Sequence, residues 1–228
     1  MEQTPQNKFL IPLAVVVAGV LVSAAIYFGG STVSPVAGGN DEPKEIDIPA
    51  VTERDHIVGN RNASLVIVEY SDTECPYCKV FHNTMKEVVS TYEGEVAWVY
   101  RHFPIAQLHA KATREAEATE CAAEIGGNQG FWNYINKVFD TTNSNDSLDP
   151  AELPKIATAV GLDATAFNAC LSSDRHAEFI KKSVEEAVKA GARGTPYSVI
   201  ITRDGKKVVI NGAEPIAMVK TKIDALLK

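Results

Sequence analysis

Two cysteines three residues apart, in the run Cys75-Pro76-Tyr77-Cys78, are the side chains of this 228-residue chain best suited to covalent chemistry. The run follows a short apolar, β-branched segment, Leu65-Val66-Ile67-Val68-Glu69-Tyr70, and opens a stretch with helical periodicity. A strand–loop–helix order puts Cys75 where backbone N–H groups lack partners and the helix dipole is positive, so an anion is favoured there. A thiolate is such an anion, and the Cys75 pKa is expected well below the free value of about 8.5. Cys78 lies one turn on, within disulfide reach. Pro76 suits the first turn, where its missing N–H would be unpaired anyway. A low thiol pKa stabilises the reduced pair and makes its disulfide a stronger oxidant. The spacing therefore points to thiol–disulfide exchange. A zinc site built from Cys75, Cys78 and His82 would need a fourth ligand, and no second C-x-x-C or H-x-x-x-H run is present. A purely structural disulfide would close so short a loop that it would add little stability.

Glu69 is the polar residue that stands out. A carboxylate inside an otherwise apolar strand is costly to bury without a partner. Either it takes part in the thiol chemistry, accepting the Cys78 proton or raising the Cys78 pKa, or it lies at an edge or pairs with a lysine such as Lys111. The other candidates have simpler readings. Asp72 and Glu74 belong to a solvated loop, with charge tuning of the thiolate as the alternative. His82 is expected on a solvated helix position. His56, His102, His109 and His176 lack a nucleophile or ligand set. Trp98, Phe131 and Trp132 are expected in the core. Cys121 and Cys170 are a pair in an even count of four. They form a structural bridge or remain two buried thiols.

The elements that must position the dithiol follow from periodicity. After the strand at 65–70, a helix runs to about Tyr92, with Val80, Phe81, Met85, Val88, Val89 and Tyr92 on its apolar face. A second strand fits Val96–His102. From about 107 to 190 the pattern is helical, in segments 108–125, 129–139, 150–160, 163–172 and 174–190. Strands return at Tyr197–Thr202 and Lys207–Asn211 around an Asp204-Gly205 turn, and an amphipathic helix starts at Pro215. This order predicts an α/β sheet domain with a helical insertion.

Apolar content of 45% and charged content of 22% suit a globular core, and a net charge of −7 disfavours nucleic acid as a partner. The segment from Phe9 to Phe28 carries no charge and just reaches the roughly 20 residues needed to span a bilayer. We read residues 1–8 as a cytoplasmic N-terminus, 9–28 as a transmembrane signal anchor and 29–52 as a flexible linker. The folded domain is then 53–228. A cleaved signal peptide is the alternative, but its apolar core would run to only about 7–15 residues. Lys8 before the segment and the acidic residues after it predict an extracytoplasmic domain.

The run Glu69-Tyr70-Ser71-Asp72-Thr73-Glu74-Cys75-Pro76-Tyr77-Cys78 resembles the active-site region of the DsbA-like thiol–disulfide oxidoreductases. Arg193-Gly194-Thr195-Pro196 resembles their cis-proline loop, and Asn128-Gln129-Gly130-Phe131-Trp132 a segment of their helical insertion. The likeness runs from about Asp55 to Leu227. It implies a thioredoxin fold with an inserted helical domain. Cys75 would be the attacking cysteine, with Cys78 as its resolving partner and Pro76 and Tyr77 between them. Pro196 would be cis, and Thr195 would line the substrate groove. Glu69 would take the place of the acidic residue beneath the dithiol. The resemblance further implies exported thiol proteins as substrates, a membrane redox partner for recycling, and neither a dissociable cofactor nor a metal. Disulfide introduction is the leading expectation. A reductase or isomerase on the same scaffold is a rival, since Thr195 also precedes the proline in isomerase-type relatives. A tethered chaperone or peptide-binding module is a rival of another class.

Overall fold

The computed structural model describes residues 46–228. The apolar run 9–28 and the linker up to residue 45 lie outside the described residues. Among the described residues, no helix is long and apolar enough to cross a membrane.

A five-stranded sheet forms the centre, in the order β1-β3-β2-β4-β5. Its strands are β1 (His56–Val58), β2 (Leu65–Ser71), β3 (Val96–His102), β4 (Tyr197–Thr202) and β5 (Lys207–Asn211). β2 and β3 are parallel, and the other neighbours are antiparallel. Both faces are covered, as the near-continuous apolar character of β2 and β3 requires. Leu65, Ile67, Trp98, Tyr100 and Ile200 face one layer, where they meet Phe81, Met85 and Val88 of α1 (Pro76–Thr91) and Val219 and Ile223 of α6 (Ile216–Leu226). Val68, Tyr70, Val99 and Val199 face the other, against Ala187 and Ala190 at the end of α5 (Ala177–Lys189).

The chain is anchored earlier than its composition suggests. Ile48 is buried in the second core, the Pro49 and Ala50 carbonyls accept from Arg101, and Lys207 Nζ donates to the Ile46 carbonyl. Residues 46–52 therefore pack on the sheet, where the sequence reading assigns them to the linker.

The helical insertion comprises α2 (Ala112–Thr141), α3 (Leu153–Ala159), α4 (Ala164–Ser172) and α5. α2 is broken at Gly127, whose φ of 62° and ψ of −158° are open to glycine alone. That break corresponds to the gap between the expected segments 108–125 and 129–139. Gly130 allows a second close approach, since a Cβ there would lie 2.6 Å from the Ala122 carbonyl oxygen. Just past the break, Asn128 accepts from the Ile57 N–H and donates to the Ile57 carbonyl, both at 2.9 Å. One side chain thus satisfies the free edge of β1. Cys121 of α2 and Cys170 of α4 are joined by a disulfide across 49 residues of sequence. In the chain-entropy view this stabilises the domain by roughly 4 kcal/mol.

One helix face differs from expectation. Val80 is 62% exposed and His82 is buried. The insertion packs beside α1, and its Trp132 and Phe139 surround His82 together with Trp98 of β3. His82 Nε2 lies 2.7 Å from Asn136 Oδ1, and burial pulls its pKa down to about 4. It is a neutral core residue and forms no ligand group with Cys75 and Cys78.

Candidate active site

β2 ends at Ser71, and a short loop delivers Cys75 as the N-terminal cap of α1. Its backbone is extended, and Pro76 opens the first helical turn as its fixed φ favours. Both Cys75 and Cys78 are reduced, and both are buried. Cys75 Sγ lies 3.4 Å from the Thr195 carbonyl oxygen, to which it donates only while it is protonated, and the Asp72 N–H donates to Cys78 Sγ at 3.4 Å. The Thr195–Pro196 peptide bond is cis, as the resemblance implies. Thr195 thereby lies against Cys75 across the mouth of the site.

The two thiols differ sharply. A hydrogen bond from Cys78 is the main influence holding the Cys75 pKa down at about 6. Burial opposes it, and the Thr195 side chain and the N–H groups of Tyr77 and Cys78 add to it. Cys78 moves the other way, raised by burial first and then by the Cys75 sulfur and Glu69. One proton is thus shared unequally. Cys75 carries the negative charge, and Cys78 keeps the hydrogen.

Glu69 has no solvent exposure and lies close enough to this pair for their charges to act on one another. Burial raises its pKa to about 7, helped by Cys75. Ser71 and Trp98 lie close enough to offset part of that rise, yet neither carboxylate oxygen reaches hydrogen-bonding geometry with a partner. Lys111 is not its counter-ion, because Lys111 Nζ donates to the Asp146 and Leu148 carbonyls at 2.6 and 2.9 Å.

A protein-family model described as Thioredoxin matches residues 51–225. This chain belongs to that thioredoxin family. Among solved structures, DsbA2 of Pseudomonas aeruginosa is 29% identical, with a TM-score of 0.66 over 78% of this chain and 96% of that one. Oxidised BdbD of Bacillus subtilis shares the fold at 19% identity, with a TM-score of 0.68 over 79% of this chain and 96% of that one. A curated relative, the Na(+)/H(+) antiporter NhaA 3 of Salinispora tropica, is 35% identical over 152 residues, which is 67% of this chain and 22% of that protein. The chain therefore spans about a fifth of the length of the curated relatives it matches. The antiport in their names is said of proteins that are mostly unmatched here.

Within the thioredoxin family the fold, with its helical insertion, is DsbA-like. The loop before its dithiol is more ordered than the sequence reading allows. Asp72 and Glu74 are buried, not solvated. Asp72 Oδ1 accepts from the Glu74 N–H at 2.8 Å, and Oδ2 accepts from the Ile105 N–H at 2.8 Å. His109 Nδ1 lies 2.9 Å from the same Oδ2. Glu74 Oε1 accepts from the Thr142 hydroxyl and the Leu148 N–H, and Oε2 from the Ser147 N–H. Glu115 of α2 is buried beside them with neither oxygen partnered. Burial raises its pKa to about 8; Thr73 lowers it, while Glu74 and Asp72 add to the rise. Apart from the Asp72–Glu74 contact within the loop, the partners lie 33 to 74 residues apart, so these roles have no local signature. The sequence signal that pointed to Glu69, a carboxylate in an apolar context, has no counterpart at Asp72 or Glu74, which sit in a polar loop.

Proposed function

We propose that the protein is an extracytoplasmic oxidase, tethered by the segment 9–28, that introduces disulfides into exported proteins. The observation that carries this reading is the inequality of the two thiols. A Cys75 pKa near 6 beside a raised Cys78 pKa stabilises the reduced pair, which makes the Cys75–Cys78 disulfide a ready electron acceptor.

The steps balance without a cofactor. A substrate thiolate attacks Cys75 Sγ, the substrate sulfur–Cys75 bond forms, and the Cys75–Cys78 bond breaks. Cys78 leaves as a thiolate and takes up a proton, with Glu69 as the donor. A second substrate thiolate then attacks the substrate sulfur of the mixed disulfide. Cys75 leaves as a thiolate, and the substrate holds a new disulfide. In recycling, the Cys75 thiolate attacks a disulfide of a membrane redox partner, and one partner sulfur leaves as a thiolate. Cys78 gives its proton back to Glu69 and attacks Cys75 Sγ, the Cys75–Cys78 bond re-forms, and the second partner sulfur leaves as a thiolate, so two electrons pass to the partner.

Supporting features agree with this reading. Tyr77 is 67% exposed beside Cys75 and offers apolar ground for an unfolded chain. The cis peptide at Pro196 presents the Thr195 backbone toward the same opening. The Cys121–Cys170 bridge suits an oxidising compartment. The test is the reduction potential of the dithiol, equilibrated with glutathione. A value near about −120 mV is expected, whereas one near about −270 mV would overturn the oxidase reading in favour of a reductase.

A further inference from the structure

Glu69 and Cys78 have no contact with solvent, yet the steps above require a proton to reach and leave them in every cycle. The strand register supplies a candidate path. Ser198 of β4, Glu69 of β2, Tyr100 of β3 and His56 of β1 are successive register partners, so they form one row straight across four strands. Ser71 and His102 are register partners in the neighbouring row. Register partners share a face of the sheet, at a strand spacing of about 4.8 Å. The polar atoms of Glu69, Ser71, Tyr100 and Ser198 are buried without a hydrogen-bond partner. A run of orphaned polar groups of this kind is exceptional in a native core and calls for a reason.

The row ends at the sheet edge in a connected group. Glu120 Oε1 lies 2.9 Å from His56 Nε2 and 2.7 Å from His102 Nε2. Burial would raise the Glu120 pKa, but the bonds from both histidines hold it down at about 2, so it accepts from both. His56, His102 and Glu120 line an open cavity of about 580 Å³, and its lining reaches inward as far as Tyr100. The open cavity is therefore lined by two members of the Glu69 row, His56 and Tyr100.

We propose that Tyr100 and the His56–Glu120–His102 group relay protons between Glu69 and solvent, through the edge of the sheet and not through the mouth of the dithiol. This rests on the reading of Glu69 as the proton partner of Cys78. The mouth is covered while substrate is disulfide-linked to Cys75, and the edge remains open at that stage. Tyr100 relays by taking one proton as it releases another. Burial, with Cys78 and Glu69 nearby, raises its pKa, so the phenol is not left ionised. Spans longer than a hydrogen bond are bridged by water, for which the orphaned hydroxyls supply donors and acceptors. Besides Cys75 and Cys78, the titratable group facing Glu69 is Tyr100. The charged groups facing the histidine end are the Asp55–Arg101 pair, Glu53, Arg54 and, from α5, Lys182 and Glu186.

The experiment measures the rate of the Cys78 step in the full chain, as dithiothreitol reduction of the oxidised protein, from pH 5 to 9 in water and in deuterium oxide. The variants are Glu69→Gln, Tyr100→Phe, His56→Gln and His56→Ala, with thermal melting and the Cys75 thiolate titration as controls. Glu69→Gln and Tyr100→Phe are expected to slow the step roughly tenfold or more and to flatten its pH profile. Both His56 variants are expected to slow it similarly, with added imidazole restoring the rate of His56→Ala through the enlarged cavity. If Glu69→Gln alters the profile while Tyr100→Phe or the His56 variants keep the native rate and isotope effect, the relay is overturned and Glu69 keeps its role. Slow His56 variants that imidazole does not restore would assign the histidine a structural part and overturn the relay as well. An unchanged Glu69→Gln profile would instead remove the reading on which the relay rests.

Discussion

His109 Nδ1 lies 2.9 Å from the Asp72 carboxylate, and the backbone N–H of that same aspartate points at Cys78 Sγ. The Asp72 carbonyl also accepts from the Cys75 N–H at 3.2 Å. One residue thus fastens both cysteines and a histidine 37 positions away. Burial lowers the His109 pKa, but the Asp72 bond and charge, with the Cys75 and Asp146 charges, outweigh it and raise the value.

A protonated His109 is a positive charge facing the Cys75 thiolate. Replacing it with glutamine keeps a hydrogen-bond donor and removes the charge. His109→Gln is expected to move the Cys75 thiolate titration upward by about one pH unit, read from ultraviolet thiolate absorbance. Asp72→Asn would act in the same direction by releasing the histidine proton. An unmoved titration in His109→Gln would leave the histidine a packing role only.

Glu74 holds a second, purely architectural arrangement. Ser144, Asn145 and Asp146 have φ values of 67°, 57° and 62°, three consecutive non-glycine residues in the left-handed region. The cost is about 1–2 kcal/mol for Ser144 and smaller for Asn145 and Asp146, whose short polar side chains tolerate this region. The Glu74 carboxylate offsets this by accepting from Thr142, Ser147 and Leu148, and its carbonyl accepts from the Asn145 N–H. Asp146 in turn accepts from the Ala110 and Lys111 N–H groups, so the loop clamps the segment that carries His109. Glu74→Ala is expected to destabilise the fold by roughly 2–4 kcal/mol in urea unfolding. Faster amide exchange at Ser147 and Leu148 should accompany the loss. Native exchange rates at those amides would contradict the clamp.

The parts of the site legible in sequence are those with a local signature. Cys75-Pro76-Tyr77-Cys78 combines spacing with a strand–loop–helix context, and Glu69 stands out because its neighbours in β2 are apolar. The strand ends at β3, β4 and β5 followed from apolar runs and the Asp204-Gly205 turn. Asp72, Glu74, His109 and the His56–Glu120–His102 group were illegible because their meaning lies in pairings across the fold. His56 and Glu120 are 64 residues apart, and nothing near either indicates the other. The exchange of Val80 for His82 on the buried side of α1 has the same origin. Helical period locates an apolar stripe, but the insertion brings a second contact surface to that helix, and its aromatic residues cover the histidine.

Two raised carboxyls give the reduced protein a pH dependence of stability that can be stated with its sign. Glu69 rises from 4.5 to about 7 and Glu115 from 4.5 to about 8. A carboxyl with a raised folded pKa binds its proton more tightly in the native state than in the unfolded one. Between pH 4.5 and 7 the native state therefore holds more protons, and stability falls as pH rises. Below pH 4.5 both groups are protonated in both states and impose no penalty. Above pH 7 the Glu69 penalty is complete, at roughly 3 kcal/mol for a fully buried group. The Glu115 penalty continues to grow up to about pH 8. Cys75 acts with the opposite sign, because its folded pKa is depressed to about 6; its contribution is present above the unfolded value of 9.0 and is lost as pH falls through 6. Urea midpoints of the reduced protein at pH 5 and pH 8.5 separate these effects. Glu69→Gln and Glu115→Gln should each raise the midpoint at pH 8.5 and leave that at pH 5 nearly unchanged, whereas Cys75→Ser should lower it at pH 8.5 alone. A Glu115→Gln variant destabilised equally at both pH values would mean that its carboxyl is ionised and bonded in the folded protein, contrary to its unpartnered burial.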